Sequence, residues 1–122
     1  MEYLILAYLG DAVYELIVRN HLINKGIKNV NDLQTESLNF VSAKSQRKIY
    51  EALNSQKFLT SSEEEIIKWG RNAHGGKAKH ADIVTYRIAT GFECLIGYLY
   101  YQNNLERIEE IMKEVIKNES IW

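Results

Sequence analysis

The sequence predicts an all-α fold, a small helical bundle, and three observations predict it. None of the 122 residues is proline, so no ring closes off the i to i−4 hydrogen bonding that a helix needs. Apolar residues recur at three- and four-residue spacing, which places them on one helical face. Strict apolar–polar alternation, the mark of a half-buried strand, never persists. About five or six helices are expected.

The first covers roughly residues 2–20 and ends near the turn Asn24, Lys25, Gly26, where glycine accepts a left-handed cap. A second is expected around residues 32–40. Ser42 is placed to cap a third, over residues 43–54, and Ser61 or Ser62 ahead of Glu63, Glu64 and Glu65 marks the next start, with acids where the helix dipole favours them. That fourth helix fades near Arg71. After a loop through Gly75 and Gly76, a long helix is expected over residues 81–102. The last helix is amphipathic, with Leu105, Ile108, Ile111, Met112, Val115 and Ile116 on one face.

An apolar content of 46% suffices for one buried core, so residues 1–122 are expected to form a single domain. Asp11, Glu15 and Glu93 interrupt the apolar runs before any reaches the roughly 18 residues of a membrane span. The single cysteine, Cys94, reads as a packed thiol and allows no intrachain disulfide. A soluble, cytoplasmic protein with no membrane partner is expected. The net charge of −1 excludes a histone-like coat of bulk positive charge and directs attention to local patches. The stretch GRNAHGGKAKH from Gly70 holds Arg71, His74, Lys77, Lys79 and His80 without an acid, and Lys44, Arg47 and Lys48 form a second cluster. As zinc ligands, His74 and His80 lack partners.

The first helix is apolar nearly all round from Leu4 to Tyr14 and carries one acid there, Asp11. From Ile88 to Tyr98 the long helix does the same with Glu93. An ionised carboxylate is expensive to bury alone, so each must reach solvent, pair, or hold a metal ion. For each acid taken singly, a structural carboxylate bonded to a tyrosine hydroxyl or a helix N-terminus stands as an equal alternative. Two such acids on central helices would form a site for a hard divalent cation with oxygen ligands. Asp82, Tyr86, Thr90 and Glu93 share one face at offsets of 4, 8 and 11, which makes the first three candidates for the outer shell. Asp82 serves equally as a first-turn acid favoured by the dipole. Glu15, one turn beyond Asp11, is an outer-shell candidate or a plain surface acid. Gly10, Gly91 and Gly97 inside helices, each about 1 kcal/mol worse than alanine, point to close backbone approach within the core or between subunits.

The run YLGDAVYEL from Tyr8 resembles the signature helix of ribonuclease III domains, and FECLIG from Phe92 resembles their second acidic helix. VSAKSQRKIYEAL from Val41, GRNA from Gly70 and TYR from Thr85 resemble the mini-ribonuclease III branch, which lacks a separate double-stranded-RNA-binding domain. The resemblance covers nearly the whole chain. It implies a ribonuclease III endonuclease-domain-like homodimer that cuts duplex RNA with Mg²⁺, or Mn²⁺ in its place, leaves 5′-phosphate and 3′-hydroxyl ends, and matures the precursor of large-subunit (23S) ribosomal RNA. Asp11 and Glu93 match the family's metal-binding acids. Two further acids of the full-length enzymes have no counterpart, since Ala7 and Thr90 occupy those positions. Arg71, Lys77, Lys79, His80, Arg87, Lys44, Arg47 and Lys48 are the candidate RNA contacts, because A-form duplexes are grasped through phosphates and 2′-hydroxyls. A ribosomal protein that presents the substrate is a further implied partner. The rival readings are a non-catalytic ribonuclease III-like RNA scaffold and a metal-dependent nucleotide hydrolase of another all-helical fold.

Overall fold

In a computed structural model of the chain, which describes residues 1–73 and 82–119, six helices follow one another and no strand occurs among the described residues. They are α1 (Tyr3–Asn24), α2 (Val30–Val41), α3 (Ala43–Ser55), α4 (Ser61–Asn72), α5 (Ile83–Tyr101) and α6 (Leu105–Lys117). The all-α expectation holds, and the boundaries move where local hydrogen bonding overrides pattern. The first helix runs on to Asn24, and Gly26 takes the left-handed conformation, φ +93°, in the turn that follows. Asn29 starts α2 earlier than expected, because its side chain accepts from the Asn31 and Asp32 amides.

Ser42 caps α3 as expected, accepting from the Ser45 amide. At α4 the cap is Thr60 and neither of the two serines. Its hydroxyl accepts from the Glu63 amide, while the Glu63 carboxylate accepts from the Thr60 amide, a reciprocal box that satisfies two otherwise orphaned donors.

The central helix is α5, whose Phe92, Cys94, Leu95 and Ile96 are wholly buried. It packs chiefly on α1 and α4, then on α3, with α6 closing one side. The Cys94 thiol, pushed up to about 11 by burial, is the packed group the sequence suggested. Helix α6 buries Ile108, Ile111, Met112 and Val115, whereas Leu105, expected on that face, is exposed in the first turn. Arg107 ties α6 to α4 through both carboxylate oxygens of Glu63, at 2.8 and 2.9 Å, and bonds the Phe58 carbonyl at 3.0 Å. Among the described residues no helix is long and apolar enough to cross a membrane.

Candidate active site

Two helix crossings made of glycine set the geometry. Where α1 meets α5, a Cβ on Gly10 would fall on the Glu93 carbonyl oxygen, and one on Gly97 would fall on the Leu6 carbonyl oxygen. Where α4 meets α5, a Cβ on Gly91 would fall on the Ile67 carbonyl oxygen, and one on Gly70 would come within 3.0 Å of the Gly91 Cα. The helical glycines therefore serve close approach inside the chain.

The first crossing decides where the acids go. Asp11 follows Gly10 on α1, and Glu93 lies on the stretch of α5 that Gly10 touches, so the two carboxyls come within hydrogen-bonding reach of each other. Asp11 is exposed and Glu93 partly buried, so the pair opens to solvent on the Asp11 side. Burial pushes the Glu93 carboxyl up to about 8, the neighbouring Asp11 carboxyl pushes in the same direction, the Gln46 amide pulls it down, and the Glu15 charge adds a further upward push. Gln46, itself only 2% exposed, donates from Nε2 to Glu93 Oε2 at 3.2 Å.

No lysine, arginine or histidine among the described residues pairs with either acid. The tyrosine alternative does not hold for Glu93. Buried Tyr14, whose ring stands edge-on to Phe92, spends its hydroxyl on the Phe40 carbonyl at 2.8 Å, and the hydrogen-bond partners of Glu93 are Gln46, which donates to it, and the Asp11 carboxyl. A partly buried carboxyl held against a second carboxyl, with no cation beside them among the described residues, is the donor set a hard divalent ion relieves. Among the described residues no group of three or more His, Cys, Asp or Glu side chains gathers for a metal. Two carboxylates still fit Mg²⁺, which keeps several waters and needs only one or two such ligands.

The outer-shell candidates separate. Glu15 lies near enough for its charge to act on Glu93, and it accepts from Arg19. Thr90 turns its hydroxyl back to the Tyr86 carbonyl at 3.0 Å, and both residues are partly buried. Asp82 is the N-cap of α5, bonded to the Thr85 amide and hydroxyl at 2.8 Å each. At 1.5 Å rise per residue it sits about 16 Å along the helix from Glu93, so a shared face does not bring it to the acid pair.

Of the cation candidates, Lys44, Lys48, Arg71 and Arg87 are exposed and form no ion pair among the described residues. Arg47 is employed within the chain: it donates to Thr85 Oγ1 at 2.8 Å and pairs with Glu51 and Asp82, fastening α3 to the start of α5. Lys77, Lys79 and His80, with His74, lie outside the described residues.

Sequence reasoning missed Gln46. The signal was available, since Gln46 stands three and seven residues before the buried Ile49 and Leu53, a polar group in line with α3's apolar face.

The family model described as "Ribonuclease III domain" matches residues 4–104. The chain is 47% identical over 113 residues to the mini-ribonuclease 3 of Streptococcus pneumoniae, covering 92% of this chain and 88% of that protein. With the mini-ribonuclease 3 of Clostridium tetani the identity is 48% over 118 residues, covering 95% and 77%. A crystal structure of a protein from Fusobacterium nucleatum superposes with a TM-score of 0.86 at 31% identity, covering 96% of this chain and 94% of that one.

Proposed function

From the premise that the chain belongs to the ribonuclease III domain family, among the mini-ribonucleases III, we propose that this endoribonuclease cuts double-stranded RNA with a divalent ion held by Asp11 and Glu93. The observation that carries the proposal is the meeting of those two carboxyls beside the glycine crossing of α1 and α5. When bound, Mg²⁺ supplies charge neutralisation at the scissile phosphate and a more acidic water. Asp11, which is exposed, and Glu93, which is partly buried, are the residues that would hold that ion. Glu15, whose charge acts on Glu93, would accept a hydrogen bond from a water of that ion and so orient it. Lys44, Lys48, Arg71 and Arg87 bind backbone phosphates, which positions the duplex without reading its sequence.

The working unit is a homodimer of single-domain subunits. Ile5, Tyr8 and Leu16, 49%, 83% and 66% exposed, form with Ala12 an apolar stripe along the outer face of α1, and Asp11 and Glu15 run along one edge of it. A second copy of α1 laid on this stripe by a two-fold axis would cover it and set two acid pairs close together, one for each strand of a duplex. The substrate is the duplex part of a 23S ribosomal RNA precursor, presented with a ribosomal protein, and the products carry 5′-phosphate and 3′-hydroxyl ends.

The test is incubation of a structured duplex RNA with Mg²⁺ and the wild-type, Asp11→Asn or Glu93→Gln protein. Both variants are expected to stay helical and lose cutting. Failure of the wild-type protein to cut would favour an RNA-binding scaffold, and hydrolysis of nucleoside triphosphates in place of RNA would favour the other helical hydrolase reading.

A further inference from the structure

We propose that Gln46 is a positioning residue of this site, its buried carboxamide holding the Glu93 carboxylate in the orientation that faces Asp11. The inference rests on the acid-pair reading above and goes beyond it. Helix α3 places Gln46 on the face occupied by Ile49 and Leu53, 0% and 1% exposed, so its amide is carried into the core. Burying an amide there is unfavourable without a hydrogen bond, and the one hydrogen bond of its side chain among the described residues goes to Glu93 Oε2 at 3.2 Å.

The chemistry of the contact has a direction. A carboxamide NH₂ can only donate, and an ionised carboxylate can only accept, so the bond favours the form of Glu93 that binds a cation. It also restrains a long side chain that would otherwise sample several rotamers. Two nearby hydroxyls are committed elsewhere, that of Tyr14 to the Phe40 carbonyl and that of Thr90 to the Tyr86 carbonyl. With one oxygen tied to Gln46, the carboxylate is held for the shared ion beside Asp11. Groups that orient a metal ligand in this way typically contribute about 10- to 100-fold in metal affinity or activity.

The experiment compares wild type, Gln46→Met, Gln46→Asn and Asp11→Asn. Methionine keeps the volume and removes the donor. Asparagine keeps the amide and draws it back by one methylene, so a folded variant is available if methionine disturbs the core. The readouts are kcat and KM on duplex RNA, the Mg²⁺ concentration for half-maximal cutting, and the rise in Tm that Mg²⁺ causes in RNA-free protein. The expected result for both Gln46 variants is kcat lower by about 10-fold or more, KM little changed, a higher Mg²⁺ half-saturation and a smaller Mg²⁺-dependent rise in Tm. A merely structural role would lower Tm and leave the metal response of the folded protein as in wild type, and that result would overturn the proposal. Asp11→Asn separates the two levels: if it is inactive while the Gln46 variants respond to Mg²⁺ as wild type does, the positioning role alone fails. If Asp11→Asn cuts normally, the acid-pair reading fails and takes this inference with it.

Discussion

Gly10 on α1 and Gly97 on α5 face each other with no room for a side chain on either. That contact fixes the depth at which α1 lies on α5, and through it the meeting of Asp11 with Glu93. Stability and site geometry thus depend on the same pair of hydrogen atoms where other residues carry Cβ.

Alanine at Gly10 or Gly97 should therefore cost more than ordinary overpacking, about 3 kcal/mol or above, since backbone must move. Gly26→Ala, at a position with open space but φ +93°, should cost only about 1–2 kcal/mol from backbone strain. Urea denaturation of the three variants checks the ranking. Equal, small losses at all three would show that the crossing does not constrain the helices.

The bundle itself was legible because each helix carries its own signals: Ser42 before α3, the acid run at the start of α4, and an apolar face on α6. The acid pair was legible for a different reason, since Asp11 and Glu93 each stand alone in an apolar helix. Local pattern does not report side-chain geometry between helices. Gln46 was hidden because a glutamine near Lys44, Arg47 and Lys48 looks like part of a solvated face. Of the two readings of Asp82, the position at the start of α5 is the one the helix cap fits, since a face shared along a helix says nothing about the distance along its axis. The bonds of Arg47 within the chain were not legible, because its partners Thr85 and Asp82 belong to another helix.

Metal-free protein should lose stability as pH rises from about 5 to 8. Glu93 keeps its proton up to about 8 in the folded chain, while the unfolded chain releases it near the ordinary value of 4.5, so over that interval the folded state binds more protons and ΔG of unfolding falls with pH. Denaturation curves in a chelator at pH 5, 6, 7 and 8 should show this slope for wild type, and Glu93→Gln should flatten it. An unchanged slope in that variant would mean that another group carries it.

On the acid side the controlling pair is Glu63 and Arg107. Burial alone would raise the Glu63 carboxyl, but hydrogen bonds from Arg107 and Thr60 hold it below its usual range. Its contribution is present above pH 4.5 and is lost as pH falls through the lowered value. Arg107→Met, which leaves the Glu63 carboxylate buried without its cation, should cost about 3 kcal/mol at pH 7 and less at pH 3. Thermal unfolding at the two pH values measures the difference.

The exposed cations and Arg47 should behave differently. Alanine at Lys44, Lys48, Arg71 or Arg87 should weaken duplex binding and make the log–log salt dependence shallower by about 1 each, with Tm unchanged. Arg47→Ala should instead lower stability by about 1 kcal/mol, because its hydrogen bond to Thr85 is lost. Filter binding across a salt series, paired with melting curves, separates the two groups.

The most direct check of the shared ion is Mn²⁺ titration into RNA-free protein, followed by the loss of the free-ion resonance. Wild type should take up Mn²⁺, and Asp11→Asn and Glu93→Gln should each release it while remaining folded. Uptake by either single variant equal to that of wild type would contradict a site in which both carboxylates hold one ion.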